Sequence, residues 1–143
     1  MRLTNSGYLD FFIAKNELGS PSDAITDNTI LLRDGKWHNV LAERNNNFIK
    51  IYIDGKYINQ KNTTTIFDVN TNLSANIGAM YFTTDSVFNQ FFNGSIDDVR
   101  IYNAALSSSQ IRQNYIAGLN LLLGKGLISG EEYNLRIENL SSK

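Results

Sequence analysis

Two adjacent carboxylates stand in the middle of an apolar stretch in the second half of the chain. Asp97 and Asp98 lie between Ile96 and Val99 in FNGSIDDVRIYNAALSSSQI. If this stretch is a β-strand, neighbouring side chains point to opposite faces, so one aspartate faces the apolar side. A buried carboxylate without a partner is energetically costly. Its partner could be a set of backbone donors, an arginine or a metal ion.

Charge and composition exclude several classes of protein. The 143 residues are enough for one domain with a modest core, and 13 Lys and Arg against 14 Asp and Glu leave no basic cluster. We therefore expect no nucleic-acid partner, because phosphate binding needs clustered positive charge. No run reaches the ~18 apolar residues of a membrane span, and the residues after Met1 lack the apolar core of a signal peptide. Cysteine is absent, which excludes disulfides and thiolate zinc sites.

Short apolar stretches separated by Gly, Asn and Asp predict an all-β region up to about Asn103. The clearest signal is FIKIYIDGKYINQ, where isoleucines alternate with Lys50 and Tyr52 and Asp54-Gly55 can form the turn of a hairpin. We expect a polar loop in ELGSPSDAITD and another at Phe82–Phe92. Further strands are predicted at Gly7–Lys15, on both sides of Asp34-Gly35 within Asn28–Arg44, and at Thr63–Phe67, Ala75–Tyr81 and Gly94–Tyr102.

The rest of the chain predicts a helical hairpin. Ser107 with Gln110, and Ser129 with Glu132, have the spacing of capping boxes at two helix starts. Two apolar stripes follow these boxes and can pack against each other: Ile111, Tyr115 and Leu119, then Tyr133, Ile137 and Leu140. We therefore divide the chain into a β domain at 1–106 and a helical hairpin at 107–143.

The motifs, taken in order, resemble a known family. DGKWHNVLAERNNNFIKIYIDGKYI, LSANIGA and FNGSIDDVRIYNAALSSSQI are similar to laminin G-like modules of the concanavalin A-like lectin/glucanase superfamily, over roughly residues 30–112. The resemblance implies a mainly β fold, an antiparallel jelly-roll β-sandwich, followed here by the helical hairpin. It also implies that Trp37-His38 is a packing element. Only about 35 residues precede that element, so the N-terminal strands of the family are missing or are supplied by another chain.

The resemblance also bears on cofactors and catalysis. In several members of the superfamily, the aspartate of the closing strand helps to bind a structural calcium ion, and Asp97 occupies that position. The alternative is that Asp97 accepts hydrogen bonds from a turn while Asp98 pairs with Arg100. Retaining glucanases need two carboxylates about 5–5.5 Å apart. The required alternation of Glu and Asp is absent, and Glu17 and Glu43 are isolated, so we expect no enzymatic activity.

Aromatic and polar residues on the hairpin and the long loop suit a shallow glycan site. The candidate ligand-binding residues are Tyr52, Tyr57, Tyr81, Asp85, Asn89 and Asn93, unless these rings belong to the core or to subunit contacts. LNLLLGKGLISGEEYNLRIENL is similar to a short C-terminal motif linked with oligomerisation, which implies contacts through Leu119, Leu122, Tyr133 and Ile137.

We therefore expect a non-enzymatic binding or adhesion module, extracellular or on a cell surface or virion, that recognises a glycan or a surface protein. The alternative is a structural subunit of a virion or appendage that self-associates through sheet edges and the helical tail.

Overall fold

The computed structural model describes residues 1–13, 23–45, 48–63, 76–82 and 87–141. The described elements are β1 (Arg2–Leu3), β2 (Leu9–Ile13), β3 (Asp23–Thr26), β4 (Val40–Asn45), β5 (Phe48–Ile53), β6 (Lys56–Asn62), β7 (Met80–Phe82), β8 (Val87–Asn89), α1 (Ser108–Gly124) and α2 (Gly130–Ser141). The strands form two three-stranded antiparallel sheets, β1-β2-β3 and β4-β5-β6, and the hairpin β7-β8. The described part of the chain is thus mainly β with two C-terminal helices, as predicted.

The β5–β6 hairpin forms as the sequence predicts and supplies much of the core. Its turn residues Asp54 and Gly55 have φ angles of +52° and +73°, the left-handed pair that a tight two-residue hairpin turn requires. The isoleucines of β5 are fully buried and pack against Leu9 of β2 and Ile25 of β3. The two three-stranded sheets therefore share one apolar core.

Two predictions for the first third of the chain are wrong. The end of the stretch predicted as a polar loop forms β3, because Ile25 pairs with Phe11 of β2 and its side chain enters the core. Residues 28–33, predicted as a strand, form no ladder. Asp27 turns the chain there, since its carboxylate accepts the backbone N–H of Thr29 at 2.8 Å and of Ile30 at 3.0 Å.

The strands predicted near the end of the β region also differ. The strand predicted at Ala75–Tyr81 begins only at Met80, and β8 lies inside the predicted loop Phe82–Phe92. Gly94–Tyr102 forms no strand, and Asp98 within it has a φ of +53°, which interrupts extended backbone. Thr63–Phe67 lies outside the described residues apart from Thr63.

The helical hairpin forms with its apolar stripes facing each other. Ser107 and Gln110 make the predicted capping box at the start of α1. At α2 the Ser129 hydroxyl accepts the N–H of Glu132 at 3.1 Å, while the Glu132 carboxylate binds Arg136. The buried cluster of the hairpin comprises Tyr115, Leu119, Ile128 and Leu140. Neither described helix is long and apolar enough to cross a bilayer.

The helices also contact the β region. Arg136 of α2 donates from Nη1 to the backbone carbonyl of Trp37 at 2.6 Å. Tyr115 and Leu140 approach Gly55 so closely that a Cβ there would lie 3.0–3.1 Å from their side chains. The hairpin therefore packs on the β5–β6 turn of its own chain.

Candidate functional site

The adjacent aspartates Asp97 and Asp98 lie on an exposed segment. Asp98 binds Arg100 through two hydrogen bonds of 2.9 Å, from Nε and Nη2 to the two carboxylate oxygens. Asp97 accepts the backbone N–H of Asp98 at 2.8 Å, and Lys125 Nζ lies 3.6 Å from its other oxygen. Both carboxylates thus have backbone or cationic partners, which is the alternative arrangement considered for them.

Asp97 is the residue expected to bind calcium, and its described partners are a backbone N–H and an ammonium group. Calcium takes six to eight oxygen ligands and favours several carboxylates. Within the described ranges, no group of three or more Asp, Glu or His side chains could hold a metal ion. The ammonium of Lys125 lies 3.6 Å from Asp97 Oδ2 and would compete with a cation for the carboxylate. Calcium binding at Asp97 stays a prediction.

The two hairpin tyrosines are brought together, but only one remains accessible. The rings of Tyr52 and Tyr57 meet edge to face with centroids 5.8 Å apart. Tyr52 is only 5% exposed, and burial together with the nearby Glu43 carboxylate raises the pKa of its hydroxyl. Tyr57 is 53% exposed and offers a ring face to solvent. Of this pair, only Tyr57 can stack on a ligand without rearrangement of the sheet.

The other candidate ligand-binding residues lie elsewhere. Tyr81 and Asn89 belong to the separate β7–β8 hairpin, where Tyr81 pairs with Phe88 and Asn89 with Met80. Asn93 is exposed on the segment that follows this hairpin. Asp85 lies outside the described residues. The structure therefore joins Tyr52 to Tyr57 and places Tyr81 and Asn89 on one hairpin.

The proposed oligomerisation residues contribute mainly to packing within the chain. Leu119 is 1% exposed in the buried cluster of the helical hairpin, and Leu122, Tyr133 and Ile137 pack partly buried around that cluster. Leu119 is therefore unavailable to a second chain while the hairpin is folded. The exposed leucines of this region are Leu121, Leu123, Leu127 and Leu135.

The His38 side chain links two turns. Its Nδ1 lies 2.8 Å from a carboxylate oxygen of Asp54, and its Nε2 lies 3.0 Å from a carboxylate oxygen of Asp34. The hydrogen bond with Asp54 raises the pKa of His38, burial opposes that rise, and the bond with Asp34 adds to it. The other oxygen of Asp54 accepts the N–H of Asn39 at 3.0 Å. This agrees with a structural role for the Trp37-His38 element.

Residues 91–102 present an exposed apolar surface. The sequence predicts the end of a loop and then a strand here, yet these residues form no strand and their apolar side chains face solvent. Ile101 is 90% exposed and Phe91 is 71% exposed. The other exposed apolar side chains of this segment are Phe92, Ile96, Val99 and Tyr102.

A cleft of about 430 Å³ separates this segment from β4. Its lining comprises Met1, residues 39–44, Asp98, residues 100–106, and Ile111 and Asn114 of α1. Glu43 lines the cleft and is only 8% exposed, and its Oε2 has no hydrogen-bond partner within the described part of the chain. The sequence shows Glu43 only as an isolated carboxylate, because its burial depends on tertiary packing.

Comparison with known proteins agrees with this architecture. A laminin G-type family model, described as the concanavalin A-like lectin/glucanases superfamily, matches residues 1–112. The fold is similar to the crystal structure of an S-layer domain-containing protein (residues 221–444) from Clostridium thermocellum ATCC 27405, with a TM-score of 0.51 and 22% identity. That match covers 80% of this chain and 66% of the other, so the chain spans slightly less than two thirds of that structure. No curated protein sequence matches the chain. Since the family model covers well over half of the sequence, the chain belongs to the concanavalin A-like lectin/glucanases superfamily.

Proposed function

We propose that the chain is a non-enzymatic binding module that acts at a surface and recognises a protein or a glycan. The observation that carries this proposal is the run of exposed apolar side chains between Phe91 and Tyr102. Soluble monomers rarely expose a large contiguous apolar patch unless a partner covers it. The superfamily, whose description includes lectins, supports a binding role. The similar fold of an S-layer domain-containing protein supports a surface location.

A protein fits the exposed segment better than a glycan does. The side chains of Phe91, Val99 and Ile101 are apolar and suit the apolar core of a protein interface. A glycan is the second ligand class, because the exposed ring of Tyr57 and the exposed amide of Asn93 are groups that contact sugars. This second proposal also includes glycan contacts by the other candidate ligand-binding residues, Tyr52, Tyr81, Asp85 and Asn89.

We also propose that the β region is a jelly-roll β-sandwich. The core shared by the two three-stranded sheets supports a jelly-roll sandwich. We assign this sandwich to residues 1–106 and the helical hairpin to residues 107–143. An extracellular, cell-surface or virion location follows from the proposed role.

A structural subunit of a surface assembly is the rival function. The helical hairpin favours it, because Leu121, Leu127 and Leu135 are each more than half exposed on or between the two helices. These leucines could join copies of the chain, while the buried stripes hold each hairpin together. Self-association of the chain and a place in a virion belong to this rival function.

Light scattering during size-exclusion chromatography, with binding to immobilised glycans and purified surface-layer proteins, tests the two functions. For a binding module we expect a monomer that binds at least one panel member, and Phe91→Asp should weaken binding about tenfold or more. Gln113→Asp, which adds the same charge at an exposed position of α1, should leave binding unchanged. An oligomer that Leu127→Asp dissociates would favour the structural subunit. A monomer that binds nothing on the panel would contradict both functions.

The absence of catalysis needs its own measurement. Glu43 and Asp98 are the carboxylates that line the cleft, and Asp98 is already bound to Arg100. We expect no release of reducing sugar from β-glucans. Release that disappears in Glu43→Gln would overturn the non-enzymatic part of the proposal.

A further inference from the structure

The exposed apolar segment 91–102 contains a chemically labile pair, Asn93 and Gly94. Asn93 is the only asparagine of the sequence that a glycine follows. Both residues are exposed, and they lie outside every helix and β-ladder of the described chain. An Asn-Gly pair is typical of hairpin turns, where backbone hydrogen bonds hold it in place. This pair closes no hairpin, because the residues that follow it form no strand.

The peptide between Asn93 and Gly94 is not held by hydrogen bonds. The preceding residue, Phe92, donates its N–H to the carbonyl of Gly78 at 2.7 Å, so the chain is anchored just before the pair. Neither backbone N–H of the pair, nor the side-chain amide of Asn93, has such a partner in the described part of the chain. The peptide is therefore open to water and can change its torsion angles without breaking a hydrogen bond.

The glycine makes this peptide reactive. The backbone nitrogen of Gly94 can attack Cγ of Asn93, because Gly94 has no Cβ to hinder the approach and tolerates the torsion angles that it requires. The new N–Cγ bond closes a cyclic imide, the Cγ–Nδ2 bond breaks, and the side-chain nitrogen leaves as ammonia with the proton of the attacking amide. Water then opens the imide. Cleavage of the N–Cγ bond gives aspartate, and cleavage of the bond to the backbone carbonyl carbon gives isoaspartate, so water is the only co-reactant.

We propose that Asn93 is a spontaneous deamidation site, which places a new carboxylate within the exposed apolar segment 91–102. The product carries one negative charge more than the formal net charge of −1. Arg100, the cation of this segment, already binds Asp98 through two hydrogen bonds. The new carboxylate is therefore solvated by water, and covering it with an apolar partner costs free energy. The consequence rests on the proposed binding function: the segment becomes less adhesive as the protein ages.

Peptide mapping by mass spectrometry tests the reaction on the folded chain, stored in mildly alkaline buffer. Asn93 should become a mixture of aspartate and isoaspartate, at a rate within about tenfold of that of a free peptide with the sequence of residues 90–98. The rate should rise with pH, because the attacking amide nitrogen must lose its proton. Asn103 is an internal control that should keep its amide, since it is exposed and outside any helix or ladder but is followed by alanine.

The matched variant is Asn93→Gln, which should remove the reaction because its longer side chain would have to close a larger ring. Gly94→Ala is unsuitable, since a Cβ there would lie 2.8 Å from Cε1 of Phe92. An amide that persists at Asn93, or a rate no faster than that of Asn103, would overturn the proposal.

Retention on a butyl resin in hydrophobic-interaction chromatography measures the consequence for the segment. The deamidated chain should elute earlier than the fresh chain, and Asn93→Asp should elute with it. Gln113→Asp, which adds the same charge at an exposed position of α1, should shift elution less. Equal retention of the fresh and deamidated chains would overturn the effect on the segment.

These measurements need no partner, so they separate this inference from the proposed function. A chain that binds a panel member but keeps the amide of Asn93 would overturn this inference alone. A chain that deamidates and loses retention but binds no panel member would contradict the proposed function alone.

Discussion

Replacement of Gly55 by alanine tests whether the helical hairpin packs on the β5–β6 turn. A Cβ at Gly55 would lie 3.0 Å from Cδ1 of Tyr115 and 3.1 Å from Cδ2 of Leu140, closer than ordinary van der Waals contact. The φ of +73° at Gly55 also disfavours any side chain. Gly35 is a matched control, because its φ is +76° and a Cβ there meets nothing within 4 Å.

The two substitutions should differ in free energy of unfolding. Gly35→Ala should lose about 1–2 kcal/mol, the penalty for a left-handed backbone with a Cβ. Gly55→Ala should lose the same strain plus about 1–3 kcal/mol for overpacking against Tyr115 and Leu140, about 2–5 kcal/mol in total. Equilibrium unfolding in urea, followed by circular dichroism and by Trp37 fluorescence, measures both losses. Equal losses in the two variants would refute the packing of the helices on this turn.

Three further predictions concern the tail, the histidine and the metal. Leu119→Ala should lower the free energy of unfolding by about 2–5 kcal/mol and Leu121→Ala by less than about 0.5 kcal/mol; similar values in urea unfolding would contradict the intramolecular packing of Leu119. The folded-state pKa of His38 is raised, so its contribution to stability is fully present below pH about 6.5 while the aspartates are ionised, and it is lost as pH rises through the folded-state pKa. The difference in unfolding free energy between wild type and His38→Gln should therefore be larger at about pH 5.5 than at about pH 9, and a constant difference would count against this reasoning. If Asp97 binds calcium, a hundredfold excess of calcium over the dissociation constant should add about 2.7 kcal/mol, which Asp97→Asn should remove; a melting temperature that ignores both calcium and chelator would exclude this site.

Local sequence patterns were sufficient to predict a segment whose backbone hydrogen bonds are made between residues close in sequence. The β5–β6 hairpin was predictable because alternating isoleucines and an Asp-Gly turn specify its register over a few residues. The α1 capping box was predictable for the same reason, since Ser107 and Gln110 satisfy backbone groups three positions apart. The superfamily, too, could be identified from motifs in this order.

Sequence patterns failed where pairing joins distant segments. Asp23 and Ile25 lie in a stretch of polar and turn-forming residues. They form a strand because they pair with β2. Gly94–Tyr102 has the composition of a strand but forms none, because a strand needs a neighbour to accept its hydrogen bonds and Asp98 adopts a left-handed φ.

The sequence by itself therefore determined the mainly β class, the hairpin turn, the two helices and the superfamily. Only the tertiary structure decided which side chains are available. It buries Tyr52, Leu119 and Glu43, and it exposes Phe91 and Ile101. The physical reason is that burial and charge pairing depend on which distant elements pack together, and residue types at local spacing do not encode that.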